Sequence, residues 1–210
     1  PEYVAPFELL KYKEDLGKRT AKALDFAKKH DFPVVLKPDL GGRGAGVWIV
    51  KDSAQLRSDI EMIDYDAIIQ AYVSGVEYGI FWIRHPKEEK GHVVSITEKR
   101  LPKITGDGKR TLEELVLTHP RSVCMAKKHL TYLSNRLDHI PKNGENVLIG
   151  EIGTHSLGAL FLDGSEIHTP ELDSRFSSIA QSHDGFYFGR FDVRAPSIEH
   201  LKAGNEIQIL

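Results

Sequence analysis

Four glycines in six residues, Gly41, Gly42, Gly44 and Gly46, interrupt an otherwise strand-like stretch of the chain. Before them stands Pro33-Val34-Val35-Leu36-Lys37, and after them Val47-Trp48-Ile49-Val50. Both flanks are rich in β-branched and apolar residues, the composition of strands. A glycine loop running from strand to strand narrows the choice of folds. A P-loop needs Gly-Lys-Ser/Thr opening a helix, and the dinucleotide fingerprint needs G-x-G-x-x-G between a strand and a helix. A protein kinase has its glycine loop before its lysine, whereas Lys37 comes first here. Glycines allow close approach of the backbone to a ligand, and consecutive amides in such a loop can cradle phosphate oxygens. Lys37 and Arg43 can add charge-assisted bonds. Taken alone, the loop is equally a flexible hairpin with Lys37 exposed at a strand end.

The rest of the chain reads as mixed α and β. Periodicity predicts a helix over 13–30, with Leu16, Thr20, Ala23, Leu24 and Ala27 on one face. A second helix over 53–60 would be capped by Ser53. Strands are expected over 67–73, 78–83 and 92–97, with a charged turn at 86–91. Thr111 and Glu114 form a capping-box pattern, and Val123, Leu130, Leu133 and Leu137 mark a longer helix. A strand is expected over 158–162. Thr169-Pro170-Glu171 starts a helix that runs to near Gly185, and strands follow over 186–194 and 207–210. Strands outnumber helices and several neighbours look like hairpins, so the fold class is α+β, without regular βαβ alternation.

Composition bounds the function. The chain has 210 residues, 40% of them hydrophobic and 28% charged, which suits one or two globular domains and excludes disordered, collagen-like or coiled-coil chains. No run of about 18 apolar residues is present to form a transmembrane helix. A net charge of −2 gives no bulk basic footprint for nucleic acid. The single cysteine, Cys124, permits no intrachain disulfide framework, so a cytoplasmic setting is expected, with Cys124 read as a buried core residue. The chain opens on Pro1-Glu2-Tyr3 and closes on Gln208-Ile209-Leu210, and is expected to be a fragment of a longer protein.

Other segments carry chemistry. Ile68 to Val73 is an apolar strand whose end can pair with the edge of an adenine through its backbone, and Glu77 just after it can accept both ribose hydroxyls. Phe188-Gly189-Arg190-Phe191-Asp192-Val193-Arg194 alternates. Phe191 and Val193 would face the core, while Arg190, Asp192 and Arg194 share the other face. A cation beside a carboxylate suits a metal–nucleotide phosphate site, and is also what an ordinary solvated strand face carries. Among the ten histidines, none forms an H-x-x-x-H or H-E-x-x-H pair. His155 stands out for its loop position. Lys127-Lys128-His129 reads as a solvated helix face, and Phe186, Tyr187 and Phe188 as core.

Together these segments resemble the ATP-grasp superfamily, in particular carboxylate–amine ligases of the D-alanine–D-alanine ligase and cyanophycin synthetase type, over residues 32–210. The resemblance implies two α+β subdomains with largely antiparallel sheets, gripping ATP between them. Residues 1–73 would be the small lid subdomain, and residues 74–210 the C-terminal subdomain. It implies that Lys37 binds phosphate and that the loop of Gly41, Gly42, Arg43, Gly44 and Gly46 closes over the triphosphate. Gln70, Ala71, Tyr72 and Val73 would bind adenine, with Gln70 in place of the usual acid, and Glu77 would bind ribose. The stretch 99–111 resembles a loop ending in V-x-G-D-G-x-x-T, from which one of Lys99, Arg100 and Lys103 would reach the phosphates. The stretch 153–159 resembles a loop near the acceptor, carrying His155 and Ser156. The G-R-x-D pattern makes Arg190 the transition-state arginine and Asp192 a magnesium ligand. The family's E-x-N metal motif follows its last strand, and residues 207–210 are the last ones here.

The implied cofactors are ATP and Mg²⁺. The implied reaction phosphorylates a carboxylate, and an amine (or thiol) then attacks the acyl phosphate. The implied partners are small-molecule substrates, an amino acid or peptide among them, with no nucleic acid and no membrane; a homodimer is in keeping with the resemblance. The alternative is a catalytically inactive nucleotide-binding regulatory module, and a third class is an α+β binding domain without a nucleotide.

Overall fold

A computed structural model describes residues 2–210. In chain order the elements are β1 (Phe7–Leu10), α1 (Leu16–His30), β2 (Val34–Pro38), β3 (Trp48–Val50), α2 (Ser53–Met62), β4 (Ala67–Ala71), β5 (Val76–Ile83) and β6 (His92–Arg100). Then come β7 (Lys103–Thr105), α3 (Leu112–Thr118), α4 (Ala126–Tyr132), β8 (Asn146–Leu148), β9 (Leu160–Asp163), α5 (Pro170–Gln181), β10 (Phe188–Ala195), α6 (Ile198–Lys202) and β11 (Gln208–Ile209).

The chain divides into two compact units, Pro1–Glu98 with Asp163–Leu210, and Lys99–Leu162. The first unit contains the sheet β1-β4-β2-β3, whose neighbouring strands all pair antiparallel. Its core face carries Leu10, Val34, Leu36, Val50, Ala67 and Ile69, buried with Ala23, Phe26 and Ala27 of α1 and Leu56 and Ile60 of α2. The opposite face carries Val35, Lys37, Ile68 and Gln70, because side chains alternate along paired strands. A second sheet has the order β11-β10-β5-β6-β9. Its β5 and β10 pair antiparallel over eight positions, from Phe188 opposite Ile83 to Ala195 opposite Val76. Tyr78, Ile80, Trp82 and Val193 point to a core filled by Phe176 and Leu172 of α5. Trp82 and Phe176 are wholly buried, and each contributes roughly 1.5–3 kcal/mol or more of apolar transfer free energy. The indole N–H of Trp82 donates to Ser177 Oγ at 3.2 Å, so its polar atom is satisfied.

The second unit has its own core of Ile104, Leu112, Leu115, Val116, Leu133, Val147 and Ile149, beside the antiparallel pair β7-β8.

Several elements differ from expectation, each for a local reason. Helix α1 begins at Leu16, since Asp15 accepts from the Lys18 amide. Its buried positions are Arg19, Ala23, Phe26 and Ala27, so the face is rotated from the expected one and Leu16 is exposed. Asp52, not Ser53, caps α2, its Oδ1 accepting from Ala54 and Gln55 at 2.9 Å each. The longer helix marked by Val123 to Leu137 is a 3-10 turn, Ser122–Met125, followed by the short α4. Val123 and Cys124 are exposed, so Cys124 is not a core residue. His129 is buried, unlike Lys127 and Lys128. Phe186 packs on the core, while Tyr187 and Phe188 are exposed. The capping box at Thr111 and Glu114 is present in both its bonds, and Thr169 caps α5 with Pro170 at its start.

Candidate nucleotide site

Lys37 stands near the end of β2 on the face away from the helices. Its ammonium donates to Gln70 Oε1 at 2.8 Å. The antiparallel register sets Lys37 opposite Ile68 and Gln70 opposite Val35, so the two polar side chains are diagonal neighbours on one face. Gln70 is buried, and its Nε2 lies 3.5 Å from the Ala5 carbonyl. Burial holds the Lys37 pKa below the ordinary lysine value. Its partner is a neutral amide oxygen, so the pair keeps a net positive charge on a half-buried surface. Such a cation is stabilised by an incoming anion.

Beyond Lys37 the glycine loop makes tight turns. Arg43 and Gly44 have φ of 58° and 72°, and Gly46 has φ of 70°. The Ala45 amide donates to Gly42 at 3.2 Å and the Val47 amide to Gly44 at 3.4 Å. Gly46 also lies so near Pro38 and Tyr65 that a Cβ would fall 2.9 Å from Pro38 Cγ. Lys37, Gly41, Gly42 and Gly44 share a recess of about 280 Å³ with Asp39 and Ile68. The loop and its lysine therefore form one cavity, with the amides of Ala45 and Val47 spent on closing the turns.

Gln70 and Ala71 end β4, and Tyr72 and Val73 lie past it. The Ala71 amide donates to the Pro6 carbonyl at 2.8 Å, and the Val73 carbonyl accepts from Arg194 Nη1 at 2.6 Å. Glu77 lies directly opposite Arg194 in the β5–β10 register. Its Oε2 accepts from Arg194 Nε at 3.1 Å and Nη2 at 2.8 Å. Both side chains are only 10% exposed. The Arg194 guanidinium also lies 5.2 Å from the Tyr72 ring centroid. One arginine thus ties together Tyr72, Val73 and Glu77. Burial lowers its pKa and Glu77 raises it, with a net rise.

Arg190 and Asp192 share the same strand face, with Arg190 Nε 3.1 Å from Asp192 Oδ1. Both are about half exposed. Opposite Asp192 stands Gly79, where an added methyl would overlap the Arg190 guanidinium. Gly79 and Arg194 are the two site residues that the sequence reading left without a role. A G-x-x-x pattern gives no warning of the first. The second was visible as the third charged residue of the alternating strand.

Asp192 supplies one carboxylate beside a cation. That donor set fits a magnesium ion held by one or two carboxylates plus substrate phosphates. Among the described residues no group of three or more His, Cys, Asp or Glu is arranged to hold a metal alone. Lys99, Arg100, Lys103, His155 and Ser156 all belong to the second unit. There Lys99 is buried with its ammonium 5.8 Å from the Phe161 ring centroid, and His155 stacks on the same ring at 5.3 Å. Ser156 Oγ lies 3.2 Å from Thr154 Oγ1. Arg100, Lys103 and His155 line a cavity. No helix among the described residues is long and apolar enough to cross a membrane.

Comparison with known proteins bears on the fold. Residues 7–73, the span of the first sheet and its glycine loop, match the family model for the carbamoyl-phosphate synthase L chain, ATP binding domain. A stretch of 97 residues is 31% identical to the glutathione biosynthesis bifunctional protein GshAB of Streptococcus agalactiae, covering 43% of this chain and 12% of that protein. The fold is similar to that of D-alanine–D-alanine ligase from Bacillus anthracis, with a TM-score of 0.52 and 18% identity over 99% of this chain and 50% of that one. It is likewise similar to the VanG D-Ala:D-Ser ligase from Enterococcus faecalis, with a TM-score of 0.51 and 14% identity over 98% of this chain and 46% of that one. The chain spans about half the length of these ligases and a smaller share of the bifunctional protein. The chain therefore has the fold of these ATP-dependent ligases, and its first third matches an ATP-binding family model.

Proposed function

We propose that the chain is the ATP-binding domain of a carboxylate–amine ligase that works through an acyl phosphate. The observation that carries this reading is Lys37, a half-buried cation bonded to an amide oxygen at the mouth of a glycine-loop recess. In this reading residues 1–73 act as the lid and residues 74–210 as the body, a functional assignment separate from the two compact units. ATP is the phosphoryl donor, and Asp192 would hold a magnesium ion, which would supply neutralisation of the triphosphate charge.

The protein's own task is positioning and charge neutralisation, since phosphoryl transfer asks little covalent work of it. Lys37 and the glycine loop hold the phosphates. The backbone at 70–73 meets the adenine edge, and Glu77, fixed by Arg194, presents its carboxylate to the ribose. Arg190, laid across Gly79, faces the charge that develops as the carboxylate oxygen attacks the γ-phosphorus. The bond from that phosphorus to the bridging oxygen breaks, ADP leaves, and an amine then displaces phosphate from the acyl carbon. The substrates are small molecules, an amino acid or peptide among them, and the expected assembly is a homodimer.

Incubation with ATP, Mg²⁺, hydroxylamine and a set of amino acids and dicarboxylates tests the reading. Hydroxamate and ADP in equal amounts are expected, and both are lost in Arg190→Ala. ATP binding without ADP or hydroxamate formation on any carboxylate would favour the inactive nucleotide-binding module instead.

A further inference from the structure

The two units differ in charge. Residues 99–162 hold ten Lys and Arg against six Asp and Glu, a net of +4; the remainder holds 18 against 24, a net of −6. The positive unit contains a cavity of about 700 Å³, within the range of small-molecule sites. Arg100, Lys103, Arg110 and Arg121 line it together with three histidines, His129 among them, and no carboxylate is in its wall.

Two of these cations are held in place. Arg110 donates from Nε to Asp107 Oδ2 at 2.7 Å and from Nη1 to Thr118 Oγ1 at 2.8 Å. Arg121 donates from Nη2 to the Ala159 carbonyl at 3.2 Å. His129 is buried, and its Nδ1 lies 2.8 Å from the Ile149 carbonyl. A carbonyl only accepts, so Nδ1 carries the hydrogen. Asp107 offsets one positive charge from behind the wall. The four cations are exposed along this wall, and guanidinium forks held by such bonds match carboxylate or phosphate oxygens with little reorganisation.

We propose that this cavity binds a small polyanion, a single molecule carrying two or more carboxylate or phosphate groups. Within the ligase reading, on which this second part rests, the cavity selects a substrate of that charge.

The test titrates citrate, tripolyphosphate and acetate, at matched ionic strength, into the native chain and into Lys103→Gln, Arg121→Gln and Arg121→Lys. Each is repeated in a Lys37→Ala background, so that phosphate bound at the glycine loop is not counted. Citrate or tripolyphosphate is expected to bind at least about tenfold more tightly than acetate, and each glutamine variant to weaken that binding about tenfold. Arg121→Lys, which keeps the charge but not the fork, retains more of it than Arg121→Gln, which separates lost charge from lost folding. Which of the two polyanions binds identifies the oxyanion. Binding no tighter than acetate, or unchanged by Lys103→Gln and Arg121→Gln, overturns the proposal. So does an ATP analogue that displaces the polyanion and is itself weakened by Lys103→Gln, because the cavity would then serve the nucleotide. An analogue that binds while no polyanion does would sink this inference and leave the ligase reading standing. Polyanion binding without analogue binding would do the reverse.

Discussion

Replacing Arg194 by glutamine tests how the adenine and ribose segments are held. The guanidinium makes two bonds to Glu77 Oε2 and one to the Val73 carbonyl, at 3.1, 2.8 and 2.6 Å. With both partners of the ion pair 10% exposed, its removal strands a carboxylate and a carbonyl where little water reaches. Breaking a buried pair by deleting one partner costs about 3–5 kcal/mol. The residual exposure puts this case near the lower end, at about 3 kcal/mol. For a chain of this size that lowers the melting temperature by roughly 6–12 °C. Urea melts followed by the fluorescence of Trp48 and Trp82 would measure the free-energy loss, with Glu77→Gln and the double variant completing a cycle. The double variant should lose less than the sum of the singles by about 1–3 kcal/mol. A loss below about 1 kcal/mol in Arg194→Gln, or strict additivity with Glu77→Gln, would refute the strut.

Gly79→Ala should change stability by less than about 1 kcal/mol, since the overlapping group is the mobile end of Arg190. Displacing that guanidinium should nevertheless lower hydroxamate formation by about 10²-fold, the scale of losing one charge-stabilising donor. Lys37 has a depressed pKa in the native state, so above that value the unfolded chain binds the extra proton. Stability therefore rises with pH up to the ordinary lysine pKa, and Lys37→Met should flatten that rise in alkaline melts. Anion binding reverses the depression, so ATP-analogue binding at alkaline pH should take up a proton, read from calorimetry in buffers of different ionisation enthalpy. Burial and a bond to Glu151 push the Tyr132 hydroxyl to about 12. Its contribution is complete below the ordinary tyrosine pKa of 10.0 and is lost as pH rises through about 12. The stability gap between native and Tyr132→Phe should therefore narrow across that interval.

Much of the fold was legible because local and tertiary signals agree. Strand alternation at 188–194 set Phe191 and Val193 on the core face and Arg190, Asp192 and Arg194 on the opposite face, as the structure has them, although Arg194 is buried there by its partners. Turn and cap chemistry at Thr111 and Thr169 held because those bonds are made within four residues. Failures came where distant partners decide. Strand β1 exists through its pairing with β4, some sixty residues away. Cys124 sits in an apolar-looking stretch that a 3-10 turn leaves on the surface. Gln70 replaces an acid in the motif, and only the register reveals that its amide oxygen meets Lys37. The role of Gly79 depends on a side chain 111 positions later, which no local pattern encodes.

The most direct test of the nucleotide site is calorimetric titration of a non-hydrolysable ATP analogue with Mg²⁺ into the native chain, Lys37→Ala and Asp192→Asn. Micromolar binding is expected, lost in Lys37→Ala and retained without its magnesium dependence in Asp192→Asn. Equal binding by the native and Lys37→Ala chains would contradict the central claim that the glycine-loop recess and its lysine hold the phosphates.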